Sequence, residues 1–327
     1  MMWIQSCLRA VFAVLALGIV HTPATAANYP SHPVRMVVPY PPGGSADILA
    51  RLIGEKLQGQ LKQTIVVENR PGGGAIVGAR SIVNAQADGY TLLLGTVSSH
   101  AMTPAVNTRA GYDPVADFTA IARIASMPFV LLVRPGLNVK SMKELIALAE
   151  KEPDALTYGS AGVGTSNHMA GALFNSRANT QMVHVPYRGS APAMNALLAG
   201  EVDMMFDLVL TAAPHIKAGT VIALGTTDSK RSQFFPELPT LAEQGLEDYQ
   251  VTAWFGLFGP ADLPDAISDR LNSEINTTLS LPEIQNRLQQ LGVEPEMDST
   301  EAFREFVKAE SAKWKAAVDE SDIAVEN

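Results

Sequence analysis

Short unbroken apolar runs alternate along this chain with longer stretches in which apolar residues recur every three or four positions. Gly- and Pro-rich breaks separate the two. The first run, Val34–Val38, predicts a buried strand. It breaks at Pro39-Tyr40-Pro41-Pro42-Gly43-Gly44 and resumes as a helix from Ser45, with Ile48, Leu49, Leu52, Ile53 and Leu57 on one face. Ser45 suits the cap of that helix, and Asp47 suits its first turn, where a carboxylate complements the helix dipole. A second strand over 64–67 leads into another Gly-rich turn, 68–74, and a helix carrying Ile76, Val77, Ala79, Ile82 and Val83. A third strand over 90–94 ends in a polar segment, 96–100, that includes Ser98. Strand, turn and helix in succession predict a parallel sheet covered by helices, the α/β class.

The pattern restarts after about residue 125, so a second α/β domain is expected there. An excursion loop over 104–114 precedes it. Strands are predicted at 118–124, 129–133, 156–160, 182–185, 202–206 and 221–226. Ser141 and Glu144 form a capping box for a helix to Lys151. A third Gly-rich turn, 159–166, opens a helix through His168 and Phe174. A fourth, 186–190, opens a helix stopped by Gly200. A strand over 251–258 precedes a helical tail at 265–279, 283–291 and 300–318, expected to pack on one of the two domains.

Composition narrows the function. The chain has 327 residues, 47% of them hydrophobic, with a net charge of −9. An acidic chain is a poor match for nucleic acid. Arg9, an apolar stretch over 10–20 and Ala24-Thr25-Ala26 predict a cleaved export signal over 1–26. That apolar stretch is too short to span a membrane. Removing 1–26, which holds Arg9 and no acid, leaves a charge of −10. Cys7 leaves with the signal, so the mature chain has no thiol chemistry and no disulfide. It is expected to be exported, not membrane-embedded, and monomeric.

In open parallel sheets such Gly-rich turns lie at the carboxyl edge, where ligands bind, and a helix start offers free N–H groups to an anion. Two or three of the four turns are expected to touch a ligand; the rest need Gly only for backbone angles. None carries a P-loop, and Gly162-Val163-Gly164 continues to Asn167 rather than to a third fingerprint glycine. Ser160 lacks the G-x-S-x-G elbow. The mature histidines are His32, His100, His168, His184 and His215, and none has zinc-protease spacing. No catalytic residue, metal site or cofactor is expected. His184 reads as a structural histidine on a strand. His168 either touches ligand or supports its loop. Arg188 either clamps a carboxylate or braces its loop through a salt bridge. Asp47 and Asp207 either accept from an amino or hydroxyl group of a ligand or cap helices. Tyr40, Trp254 and Phe255 either wall the pocket or belong to the core.

These segments resemble a known family. PYPPGGSADILAR, VVENRPGGGAIVGA, DGYTLLLG, YGSAGVGTSNHMAG, HVPYRGSAPAMNALLAGEVD and ELPTLAEQG, in this order, resemble the tripartite tricarboxylate transporter substrate-binding proteins of the Bug or TctC type. The resemblance implies a periplasmic-binding-protein fold, type II-like, closing as a Venus flytrap. Two α/β domains, 27–124 with 227–327 and 125–226, would be joined by a two-strand hinge, with hinge candidates at 122–126 and 224–227. It implies a small organic carboxylate as ligand and membrane transporter subunits as partners. The ligand carboxylate would be held by the first loop (Tyr40, Pro42, Gly43, Gly44, Ser45, Asp47) and the third (Gly162, Gly164, Thr165, Ser166, Asn167, His168). Ser98, Arg188, Gly189 and Asp207 complete the candidate ligand set. Two other functions compete: a sensor for a membrane kinase, and an exported carboxylate-processing enzyme, for which the chain offers no nucleophile–base pair.

Overall fold

A computed structural model describes residues 29–247 and 249–319. The export signal, its cleavage site and Cys7 lie outside the described residues. The chain runs β1 (Val34–Val38), α1 (Ser45–Leu61), β2 (Ile65–Asn69), α2 (Ile76–Val83), β3 (Thr91–Thr96) and α3 (Thr103–Val106). It continues through β4 (Phe118–Val133), α4 (Met142–Lys151), β5 (Thr157–Ser160), α5 (Ser166–Ala178), β6 (Val183–Pro186), α6 (Ser190–Ala199), β7 (Met204–Leu208), α7 (Val209–Lys217) and β8 (Ile222–Thr226). It closes with β9 (Thr252–Pro260), α8 (Asp265–Leu279), α9 (Pro282–Gln290), β10 (Glu294–Pro295) and α10 (Thr300–Asp319).

One strand connects two sheets. The first orders β2-β1-β3-β9-β4, with β1 parallel to β2 and β3, as the repeated strand–helix pattern predicts. In the second, β4 runs between β7 and β8, and β7 continues to β5 and β6. Residues 118–124 and 129–133 read as separate strands, but they are one. Ser126 and Pro128 look like breakers, yet the ladder with β9 continues through Pro128↔Thr252. Register shifts between Ala120 and Ala122 and between Arg123 and Ala125 bend the strand without ending it. A proline is tolerated because it sits at the end of that ladder. From Phe129 onward β4 pairs with β7.

The chain crosses back at Thr227. Its N–H donates to Phe129 O (3.0 Å), and its hydroxyl accepts from Phe129 N–H (2.9 Å) and donates to Val251 O (2.5 Å). The partner change in β4 thus falls just beyond the 122–126 hinge candidate, while 224–227 contains Thr227.

The helical tail packs on the first sheet. Phe303 of α10 is fully buried beneath Gly256, where an added Cβ would lie 2.2 Å from the Phe303 ring. Trp254 meets Phe306 edge-on at 5.5 Å, and its indole N–H donates to Glu310 (3.1 Å). Trp254 is therefore core, not pocket wall. α7 was not legible, because Pro214 inside it reads as a breaker and no polar residue caps it. The start of α4 reads correctly from its capping box. Ser141 accepts from Glu144 N–H (3.2 Å), and Glu144 accepts from Lys140 N–H (2.8 Å). The α1 start reads differently: Gly44, at φ −85°, ψ 170°, is the cap, and Ser45 is the first helical residue.

Replacing Phe303 with Ala should destabilise the protein by ~3–5 kcal/mol, since it opens a cavity under the sheet. Urea denaturation measures this; a change under about 1 kcal/mol would mean that α10 is not part of the core.

Candidate functional site

The carboxyl edges of the two sheets face each other across a cleft with two chambers. The inner one, about 40 Å³, lies between the starts of α1 and α5: Gly44, Ser45 and Ala46 on one side, Ser166 and Asn167 on the other. Thr96, Val97 and Ser98 form its floor, and Asp207 and Leu208 its back wall, with Phe255 and Ala253 of β9 beside them. The outer chamber, about 670 Å³, is lined by Tyr40 and Pro41, by Gly72, Gly73 and Gly74, by Gly162 and Val163, and by Tyr187, Arg188 and Gly189. All four Gly-rich turns thus border the cleft. Helices α1, α5 and α6 present their N-terminal residues to the inner chamber, and Leu208 caps α7 there. Positive helix ends suit an anion.

The first loop is braced by Asp47. Its carboxylate accepts from Gly43 N–H (3.0 Å), Asn69 Nδ2 (2.9 Å) and Arg51 Nε (3.1 Å). Asn69 also donates to Tyr40 O (3.0 Å). Burial opposes ionisation of Asp47, but the hydrogen bonds from Arg51, Gly43 and Asn69 outweigh it and hold the carboxyl below its usual range. This set leaves Asp47 turned into its own loop. Gly43, at φ +88°, supplies the left-handed residue that the loop needs.

The third loop is braced in the same way. Gly164 N–H donates to His168 Nδ1 (3.1 Å), and Thr165 Oγ1 donates to Gly162 O (2.6 Å). His168 stacks on His184 at 4.0 Å, and His184 Nε2 meets Ser160 Oγ at 2.6 Å. Burial pushes the His168 ring down to about 4 and that of His184 to about 3, so both are neutral near pH 7. Of the two roles open to His168, the geometry shows loop support.

Direct contacts cross the cleft. Ser98 Oγ accepts from Ser166 N–H (2.9 Å), Thr103 Oγ1 lies 2.8 Å from Gly74 O and 2.9 Å from Gly164 O, and Ser45 Oγ lies 3.3 Å from Thr211 Oγ1. Of the predicted set, Tyr40, Gly44, Ser45, Ser98, Ser166, Asn167 and Asp207 line the inner chamber, and Gly162, Arg188 and Gly189 the outer. Arg188 is exposed, and no ion pair braces it among the described residues. Pro42 is exposed beyond the lining, Gly43 borders a side cavity, and Gly164 and Thr165 are buried in the loop. Thr96, Ser190, Leu208 and the 72–74 loop line the chambers but were not in the predicted ligand set. The second Gly-rich turn was the available signal for the last of these.

Asp207 is the one charged side chain among the inner chamber's lining residues. It is 1% exposed, and neither carboxylate oxygen has a hydrogen-bond partner. Burial pushes its carboxyl up to about 7, and the nearby Thr211 hydroxyl and Leu208 N–H only soften the effect.

Comparison with known proteins places this geometry. A family model described as tripartite tricarboxylate transporter family receptor matches residues 49–323. Three solved structures share the fold over most of both chains. R. palustris Rpa4515 with adipate is 34% identical (TM-score 0.86; 89% of this chain, 97% of that one). The periplasmic binding protein BugD is 32% identical (TM-score 0.86; 90% and 99%). MatC (Rpa3494) from Rhodopseudomonas palustris with bound malate is 33% identical (TM-score 0.85; 89% and 100%). The fold is that of the α/β periplasmic binding proteins.

A buried carboxyl whose folded pKa is raised stabilises the fold at low pH and loses that contribution as pH rises from about 4 through about 7. The buried histidines, with lowered folded pKa values, act in the opposite sense: their contribution is lost as pH falls below about 6.5. The Asp207 signature is therefore the difference between wild type and Asp207→Asn. The unliganded variant should gain up to about 4 kcal/mol relative to wild type between pH 4 and pH 8. Thermal unfolding across that range checks this, and parallel pH profiles would contradict a strained carboxylate.

Proposed function

The chain belongs to the tripartite tricarboxylate transporter receptor family, and from that premise we propose that it captures a small organic carboxylate in the inner chamber and delivers it, in the periplasm, to membrane transporter subunits. The protein is a solute receptor, not an enzyme. One observation carries the choice of ligand: the starts of α1, α5 and α6 meet at one chamber that no Lys or Arg lines among the described residues. Backbone N–H groups and helix dipoles can hold a carboxylate there without a desolvated cation. Tyr40, Gly44, Ser45, Ser98, Ser166 and Asn167 are the proposed contacts, with Asp47, Gly43, Gly164, Thr165 and His168 shaping the loops. Arg188 and Gly189 would meet the far end of a longer ligand. Two related structures, Rpa4515 with adipate and MatC with malate, hold carboxylates of this kind. The signal-like N-terminus supports the address, and no described helix is long and apolar enough to cross a membrane.

The proposed moving bodies are 27–124 with 227–327 and 125–226, with the protein acting as a monomer. The partner change in β4 and the crossing at Thr227 support two connections between them. Closure follows from a ligand that contacts both bodies and so binds the closed state better.

A bound carboxylate at roughly a hundred times its dissociation constant should add about 2.7 kcal/mol of stability, read as a thermal shift. Small-angle scattering should show compaction with the same compound. An added Cβ on Gly74 would lie 2.3 Å from Val163 O across the cleft, so Gly74→Ala should weaken binding about tenfold or more and reduce the compaction. No thermal shift with any carboxylate, or a shift without compaction, would overturn the reading or its closure step respectively.

A further inference from the structure

The inner chamber has a polar asymmetry that a simple carboxylate does not satisfy. One wall is made of helix starts and accepts an anion. The other holds Asp207, which is buried and has no hydrogen-bond partner on either oxygen. Buried acceptors are almost always paired, so two unpaired carboxylate oxygens facing a chamber call for a donor. No side chain around it places a donor in hydrogen-bond geometry with either oxygen, and several are engaged elsewhere. The Tyr40 hydroxyl lies 2.8 Å from Thr96 Oγ1. Asn167 Nδ2 donates to Phe206 O (2.7 Å), and Ser98 Oγ donates to Ser166 Oγ (3.2 Å). Thr211 Oγ1 donates to Leu208 O (3.2 Å).

We infer that Asp207 selects the ligand: the captured carboxylate carries a hydrogen-bond donor, an ammonium in preference to a hydroxyl, and presents it to this side chain. The inference rests on the carboxylate-receptor reading above. Its physical basis is differential. An ammonium neutralises Asp207 while the ligand carboxylate sits on the helix starts, so both charges of a zwitterion find their complement. A hydroxyl satisfies one oxygen without cancelling the charge. A second carboxylate or a methylene leaves Asp207 desolvated and unpaired, or sets like charges together.

Asp207 also borders a side cavity of about 240 Å³ lined by Met194, Asn195, Leu210 and His215. A carboxyl turned wholly into that cavity would not see the ligand, so the test must separate the two orientations.

Matched series that differ in a single substituent isolate the donor. Isothermal titration at about pH 8, where Asp207 is ionised, would compare aspartate, malate and succinate. Alanine, lactate and propionate form the shorter set, and 2-aminoadipate, 2-hydroxyadipate and adipate the longer one. Within whichever set binds, the amino acid should bind about tenfold or more tighter than the unsubstituted acid, with the hydroxy acid between them. Asp207→Asn should level the series, mainly by weakening the amino member. That variant should fold, because it removes a strained charge; its thermal midpoint verifies this independently. Binding in which the unsubstituted acid equals or exceeds the amino acid would overturn the inference and leave the receptor reading intact. So would a series unchanged by Asp207→Asn, which would place the carboxyl in the side cavity. If no member of any set binds, the carboxylate reading and the inference fall together.

Discussion

A single extended strand that belongs to two sheets is the constraint on which the rest of the molecule depends. β4 pairs with β9 up to Pro128 and with β7 from Phe129. Each sheet must therefore end where the other begins, and the turns at their carboxyl edges must face one another. Thr227 fastens the return crossing to the same point through Phe129 and Val251. The cleft is a consequence of this topology. Both chambers are lined from the two sheets, because four turn-and-helix starts converge once β4 is shared.

That convergence explains how an acidic protein can hold an anion. Net charge acts at long range and is screened by salt, whereas helix starts act within a few ångströms. The chamber therefore needs no cation in its wall. Most polar side chains at the cleft are spent on shaping it: Asp47 on the first loop, His168 and Thr165 on the third, Thr103 on the join between Gly74 and Gly164. Rigid loops keep N–H groups aimed at a fixed place, which lowers the ordering cost when a ligand arrives.

Much of this was legible in the sequence. The run-and-break pattern marks the α/β class, the two-fold restart and the four turns, because strands and helices bury apolar residues with different periods. What was not legible shares a physical cause: it depends on residues far apart in the chain. Ser126 and Pro128 suggest a break, and only the pairing with β9 shows that the strand runs on. Pro214 hides α7, a helix that tertiary packing stabilises despite its weak local signals. Trp254 and Phe255 are neighbours on one strand, and their alternation puts one in the core and the other in the cleft, a choice that follows from which face of the sheet α10 covers.

The two aspartates make the sharpest case. From sequence, Asp47 and Asp207 carried the same pair of possible roles. In the fold, three donated hydrogen bonds and an ion pair with Arg51 surround Asp47, and they outweigh its burial. Asp207 has the burial with no donor in hydrogen-bond geometry on either oxygen, and the nearby Thr211 hydroxyl and Leu208 N–H only soften its effect. Burial thus wins at one position and loses at the other, and the sign of each pKa shift follows. A protein selected only for stability would not keep an unpaired carboxyl in its interior, since replacing it with a neutral group would relieve the strain. The loops that receive the anion need only backbone and small residues. A buried charge opposite them can discriminate among anions of one size, and that gives the strained position a function.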